Sequence, residues 1–208
     1  MKITLVTVSA YKERPEYLDS TERLKFSYCL KWKWGYKCRK ALTRPGYHPV
    51  WEKMPVLKEA LKEGADWAVW MDADAAPVTP SMDVGSYLAA EEKKIIMLKD
   101  RNGINAGVFA VPNERHFLEW LDYIDKQRDN PRYRDGWKEQ NAMKDSFAGP
   151  FKGCMKEPPR EIGWNQYLDV YDYRNEWNLW REGDWCLHLP ACRDSFRTET
   201  FKKHMEVI

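Results

Sequence analysis

The sequence predicts an α/β protein, a mainly parallel central sheet with helices on both faces, and three observations carry that expectation. Short apolar or β-branched runs alternate with stretches of helical spacing. One run, "WAVWM" (Trp67 to Met71), is apolar at odd and even positions alike, as a strand covered from both sides must be. The breakers Gly35, Gly64 and Pro112 fall between the segments.

In order, "ITLVTV" (Ile3 to Val8) reads as a first buried strand that delivers a loop at Ser9 and Ala10. A helix is expected over Thr21 to Trp34, with Leu24, Tyr28 and Lys31 on one face and Gly35 just past its end. A second spans Trp51 to Lys62, with Leu57 and Leu61 four apart, Pro55 confined to its first turns and Gly64 as its stop. After "WAVWM" come a helix over Asp83 to Glu92 and two strands, "KIIMLKD" and "GVFAVP". "NERHFLEWLDYIDKQ" then has Asn113 as a cap and Phe117, Leu121 and Ile124 at helical spacing. "DWCLHLP" gives a late short strand, and "KEPPRE" (Lys156 to Glu161) a loop.

At 208 residues, 43% hydrophobic and 14% aromatic, the chain is long enough to bury one full core. Lys and Arg number 34 against 32 Asp and Glu, interspersed, so charge indicates neither a nucleic-acid nor an anionic-membrane partner. The apolar stretch at the N-terminus is too short for a secretory signal or an anchor, and no later run approaches the roughly 20 residues needed to span a bilayer. Five irregularly spaced cysteines without a CxxC suggest reduced thiols. The expectation is a soluble, cytoplasmic protein.

Chemistry concentrates in "ADWAVWMDADAAPVTP". Ligands of open α/β sheets bind at the carboxyl ends of strands, and Asp72 and Asp74 stand where the apolar strand runs out. Two carboxylates there, on the same side because strand periodicity is two, suit a hard divalent cation placed to bridge a diphosphate. An isolated Asp-x-Asp is also an ordinary cap or solvated turn. What favours the metal reading is that the pair is the first polarity the chain meets on leaving the core.

The segment "VWEKMPVLKEALKEGADWAVWMDADAAPVTP" resembles the central block of glycosyltransferase family 34, the α-galactosyl-, α-mannosyl- and α-xylosyltransferases of GT-A fold, with a Trp-x-Lys-x-Pro helix before a strand ending in Trp-x-Asp-x-Asp-Ala. "ERLKFSYCLKWKWGYKC" is similar to the family's upstream helix, with Trp34 in place of its turn histidine. "GINAGVFAVPNERHFLEWLDYI", "KEQNAM" and "WCLHLPAC" match the family's Asn-x-Gly-x-Phe, Asp-Gln-x-Ala and His-x-x-Gly-Cys elements, in order.

The resemblance implies a single GT-A (Rossmann-like) catalytic domain over residues 1–208, with residues 1–112 binding the sugar nucleotide and 113–208 facing the acceptor. It implies a retaining, metal-dependent transfer of a hexose or pentose from a UDP-sugar to a glycan or other hydroxyl acceptor. Asp74 and Asp72 become metal ligands and His188 the third; this mixed oxygen and imidazole set suits Mn²⁺ better than Mg²⁺. Thr7, Ser9 and Tyr11 are expected at the nucleotide, Tyr11 stacking on uracil, although surface packing accounts for Tyr11 equally well. Asn105, Ala106 and Gly107 would approach the sugar, and Gln140 and Glu139 would flank the anomeric carbon, Glu139 replacing the family's aspartate.

Retention proceeds by double displacement, which needs a carboxylate nucleophile, or by front-side attack; no clear nucleophile stands out, which favours the second. Of the eleven tryptophans, Trp51, Trp67, Trp70 and Trp120 follow core spacing, while Trp164, Trp177, Trp180 and Trp185 are placed either to pack or to stack on an acceptor sugar. Family members carry a membrane anchor and stem, so this chain is expected to be either a minimal soluble enzyme or part of a longer multidomain one. Two other classes remain. A nucleotidyltransferase-like diphosphate enzyme should show a Gly-rich phosphate loop, which "SAYKERPE" lacks, and a non-catalytic carbohydrate-binding protein would not need Asp72, Asp74 and His188 to converge.

Overall fold

A computed structural model describes residues 1–100, 102–168 and 179–206. The chain runs through β1 (Ile3–Val8), α1 (Tyr17–Trp32), β2 (Gly35–Arg39), α2 (Lys53–Lys62), β3 (Trp67–Met71), β4 (Ala75–Pro77), α3 (Val84–Ala90), β5 (Ile95–Asp100), β6 (Gly103–Pro112), α4 (Arg115–Lys126), α5 (Lys138–Ala148), β7 (Met155–Lys156), β8 (Cys186–His188) and α6 (Asp194–Met205).

Six strands form one sheet in the order β2-β1-β3-β6-β5-β7, parallel throughout except for β6. The exception follows from chain length. Only two residues separate β5 from β6, enough for a hairpin and far too few for the crossover that a parallel neighbour requires. Side chains alternate faces along each strand. Val6, Trp70, Phe109 and Met97 pack with α2, α4 and α5 on one side, while Leu5, Val69, Ala110 and Ile96 pack with α1 and α3 on the other. Helices therefore cover both faces, as expected. A second, two-stranded ribbon, β4 antiparallel to β8, closes over α1 and α6 through Leu24, Leu187, Leu189 and Phe201.

Several local expectations need correction. The first helix begins four residues early, at Tyr17, and stops at Lys33, which takes the left-handed conformation (φ 56°) in place of the expected Gly35. Lys31 is exposed; the buried stripe is Thr21, Leu24, Lys25 and Tyr28. Gly35 instead opens β2, an edge strand of half-exposed residues that shows no apolar pattern, and a Cβ there would lie 2.8 Å from Thr4 Oγ1. Asn113 does not cap α4: its amide donates to the carbonyls of Leu61 and Ala65 and ties two loops together. The sixth strand starts at Gly103 rather than Gly107, and its pairing with β5 shifts register between Met97 and Lys99. Within "KEPPRE", Lys156 pairs as the edge strand β7 and Arg160–Ile162 form a 3-10 turn. All five cysteines are free, and among the described residues no helix is long and apolar enough to cross a membrane.

Candidate active site

Backbone pairing gathers the expected metal ligands. The Asp72 N–H continues the β3–β6 ladder by donating to Gly107 O at 2.8 Å, and the β4–β8 register sets Ala75 opposite His188. Asp72, Asp74 and His188 consequently offer ligating atoms that all lie within 4.8 Å of one another. Gly107 is required at this point: a Cβ on it would fall 2.6 Å from His188 Nδ1. The expected close approach at Gly107 is thus first of all to an imidazole.

Each ligand has its other polar atom tied. Asp72 Oδ1 accepts from Trp70 Nε1 (2.7 Å) and pairs with Lys53 Nζ (3.1 Å), leaving Oδ2. Asp74 Oδ2 accepts from Arg197 Nη2 (2.9 Å), and Oδ1 lies 3.4 Å from His188 Nε2. His188 Nδ1 meets Asn165 Oδ1 at 2.9 Å, and Asn165 in turn donates its amide to Asn105 Oδ1 at 2.9 Å. Because Asn165 presents its oxygen to the ring, Nδ1 carries the proton and Nε2 keeps the lone pair a cation needs. Asn105 completes the chain, donating to Asp100 Oδ2 and accepting from the Gly107 N–H. Burial would raise the Asp74 carboxyl, but its charged surroundings, with the permanent cation Arg197 at 2.9 Å, hold it below the usual carboxylate range.

Two clefts meet at this cluster. One of about 420 Å³ is lined by Val8, Ala10, Tyr11, Trp70, Asp72 and Asp74 among others; the second, about 200 Å³, by Asn105, Gly107, Trp137, Gln140 and His188 with the same two aspartates. Tyr11, 46% exposed, lies on the first as expected. Thr7 and Ser9 do not. Both are buried, Thr7 Oγ1 accepting from Lys25 Nζ and Ser9 Oγ from the Cys38 thiol, because strand period two turns Val8 and Ala10 to the cleft and their neighbours away. Ala106 is buried and contributes backbone only: its N–H donates to Gln140 Oε1 (2.9 Å) and its carbonyl accepts from Lys53. Glu139 is buried against Lys53 Nζ at 2.9 Å; burial lifts its carboxyl above the usual range, and the lysine offsets only part of that rise.

A model of the galactosyl transferase GMA12/MNN10 family matches residues 1–88. The chain is 24% identical over 183 residues to a probable alpha-1,2-galactosyltransferase, gmh1, of Schizosaccharomyces pombe, covering 69% of this chain and 54% of that protein. It is 26% identical over 155 residues to galactomannan galactosyltransferase 1 of Cyamopsis tetragonoloba, covering 67% and 35%. It thus spans about half the length, or less, of these curated relatives. Among solved structures, a glycosyltransferase involved in the glycosylation of the major capsid of PBCV-1 superposes with a TM-score of 0.80 at 16% identity, over 98% of this chain and 100% of that one. The chain has the GT-A glycosyltransferase fold. A galactosyltransferase, LgtC, solved in complex with donor and acceptor sugar analogs, shares it with a TM-score of 0.55 at 13% identity, over 100% of this chain and 96% of its own. The expected resemblance to glycosyltransferase family 34 is borne out, and the matched relatives bear the names of sugar-transferring enzymes.

Within this GT-A fold, four residues that sequence reading passed over support the cluster. Lys53, quoted only as part of a motif, is a buried cation between Asp72 and Glu139. Lys25, 0% exposed, donates to Asp72 O at 2.8 Å. Arg197 and Asn165 orient Asp74 and His188. Lys53 left a trace in the Trp-x-Lys-x-Pro pattern and Lys25 in its place on the apolar stripe of α1, whereas Arg197 and Asn165 left none. Of the tryptophans expected either to pack or to stack on sugar, Trp164 and Trp185 are core, Trp180 packs against the C-terminal cluster, and Trp177 lies outside the described residues.

Proposed function

We propose that this chain is a metal-dependent glycosyltransferase that moves a hexosyl or pentosyl unit from a UDP-sugar to a hydroxyl of a glycan or other acceptor, with retention of configuration. One observation carries the reading. Asp72, Asp74 and His188 each have one polar atom held by another part of the protein, and the three offer ligating atoms that lie within 4.8 Å of one another. Such preorganisation is the signature of a ligand set rather than of a solvated turn. Two carboxylate oxygens and an imidazole nitrogen fit Mn²⁺, with Mg²⁺ as a poorer match. Bound there, the cation supplies Lewis-acid neutralisation of the departing diphosphate.

The chain's own groups take the remaining roles. Tyr11 gives the larger cleft a half-exposed ring on which uracil can stack, and Asp72 is near enough to serve the ribose as well. Asn105 and Gln140 line the smaller cleft, where the donor sugar would sit; Gln140 has its oxygen committed to Ala106, while its amide N–H groups have no partner among the described residues and can meet a hydroxyl. The carboxylates lining that cleft are Asp72, Asp74 and Glu139, the first two in the ligand set and the third paired with Lys53. This supports front-side attack. The acceptor oxygen bonds to the anomeric carbon as the carbon–phosphate oxygen bond breaks on the same face, and the hydroxyl proton passes to the leaving phosphate oxygen. Five free cysteines favour a reducing, cytoplasmic setting.

Calorimetric titration of UDP and UDP-glucose tests the proposal, with Mn²⁺ and then with EDTA, on the wild type and on Asp74→Ala. Binding that requires metal and disappears in the variant is the expected result. Absence of binding with metal present would sink the UDP-donor reading.

A further inference from the structure

The sequence "DGWKEQ" enters α5 through an uncommon backbone. Gly136 (φ 66°) and Lys138 (φ 32°) both have positive φ on either side of Trp137. A lysine in that conformation carries strain that glycine would not, and such strain persists where surrounding structure imposes it, often at binding sites. Its result here is specific. Trp137 stands 55% exposed on the wall of the smaller cleft, the only exposed tryptophan among the described residues. An indole left half in water loses the burial that usually repays its size. Its flat apolar face is instead available to the C–H face of a pyranose.

Lys138 lies at the junction of two spaces. It lines the smaller cleft, and with His48 it also lines an adjoining pocket of about 270 Å³ bounded by Tyr47, Arg128, Asp129 and Arg134. Three cationic side chains face one carboxylate there. Arg128 is engaged by Asp125 (2.7 Å) and Asp129 (3.5 Å) and lies against the Tyr47 ring. Lys138 and Arg134 have no ion-pair partner among the described residues. His48 Nδ1 accepts from the Val50 N–H, which leaves Nε2–H as a donor. Lys138 lines the smaller cleft with the exposed indole and the adjoining pocket with Arg134, and cations without an ion-pair partner among the described residues beside such a ring suit a sugar that carries a negative charge.

We propose that residues 134–138 form the acceptor subsite and that the acceptor is an anionic pyranoside, its ring stacked on Trp137 and its carboxylate or phosphate held by Lys138 and Arg134. The inference rests on the proposed transferase reading and names the substrate class for its smaller cleft. Trp137 supplies a stacking surface common to most pyranoses, and the two cations choose among them.

The test uses the ¹⁵N-labelled full chain with Mn²⁺ and UDP, titrated with methyl glucuronide, glucose 6-phosphate and neutral methyl glucoside. The Trp137 indole N–H signal is assigned by its absence in Trp137→Phe. Both anions should shift that signal and bind about tenfold or more tightly than the neutral glucoside, with a preference that shrinks as salt is raised. Preference for one anion over the other identifies the source of the charge. Lys138→Gly, which relieves the strained φ, should abolish the preference while keeping the fold, and Lys138→Arg should retain it. Trp137→Ala should weaken all three ligands together. Equal binding of charged and neutral sugars, an unmoved Trp137 signal, or an unchanged preference in Lys138→Gly would each overturn the inference. UDP binding is read in the same sample: if UDP binds and no pyranoside does, the acceptor assignment fails alone, and if UDP does not bind, the donor reading fails with it.

Discussion

The loop carrying Asp72 and Asp74 is braced from both faces of the sheet by a buried lysine, and the two braces work in opposite ways. On the α1 side, Lys25 meets neutral oxygens: the carbonyls of Asp72 (2.8 Å) and Ala73 (3.5 Å) and the Thr7 hydroxyl (3.4 Å). Burial outweighs the more distant negative groups and brings its pKa down to about 8. On the α2 side, Lys53 is just as buried but lies between the carboxylates of Asp72 and Glu139; burial still disfavours its charge, and the two acids overcome that and raise its pKa. One lysine fixes where the loop backbone runs, and the other fixes the charge of the site. What the contrast teaches is that burial alone does not set a lysine's protonation; its partner's charge does.

The largest expected effect breaks the charged brace. Lys53→Met leaves Glu139 and part of Asp72 buried without a counter-ion and should cost about 3–5 kcal/mol in chemical denaturation. Adding Glu139→Gln should restore part of that loss, giving a coupling energy on a double-mutant cycle that an indirect effect would not produce. Lys25→Met, which strips donors from neutral oxygens only, should cost less, about 1–3 kcal/mol. It should also weaken Mn²⁺-dependent UDP binding by about 10–100-fold, because the loop it pins carries the ligands. Equal destabilisation by the two lysine variants would remove the distinction. Gly107→Ala should cost about 1–3 kcal/mol through its clash with the His188 ring and should lower metal affinity with little effect on sugar binding in metal-free protein.

The smallest and most diagnostic effect is on pH dependence. A lysine whose folded pKa is depressed leaves the native state with fewer protons than the unfolded chain between that pKa and the ordinary value of 10.5. Lys25 therefore penalises folding below about pH 8, and the penalty fades as pH rises from there towards 10.5. Denaturation across that window should show the wild type gaining on Lys25→Met. A flat difference would show that Lys25 stays charged, as Lys53 does.

Legibility in the sequence followed the same division. The core strands were visible because Trp67–Met71 is apolar at every position and Ile3–Val8 mixes apolar residues with β-branched threonines, and the aspartates because they end the apolar run. The edge strand Gly35–Arg39 was not, since a strand with one free edge and half-exposed residues has no pattern to read. Thr7 and Ser9 were placed on the wrong side by one residue, an error that period two turns into a change of face. His188 was named by resemblance, whereas its orienting partner Asn165 and the clamp Arg197 belong to segments whose polar residues look like surface until the fold brings them in. Trp137 was one tryptophan among eleven, and only its position after Gly136 sets it apart.

The clamp of Arg197 on Asp74 joins residues 123 positions apart in the chain. Asp72 and Asp74 leave the ribosome well before β8 and α6, and among the described residues β4 pairs with β8 and Asp74 is clamped from α6. At roughly 5–20 residues per second, the aspartates spend several seconds on a nascent chain whose strands β1, β2, β3, β5 and β6 can already pair while the Asp72–Asp74–His188 cluster cannot assemble. On the proposed reading, synthesis order therefore delays any binding of a cation or sugar nucleotide until β8 and α6 have been made.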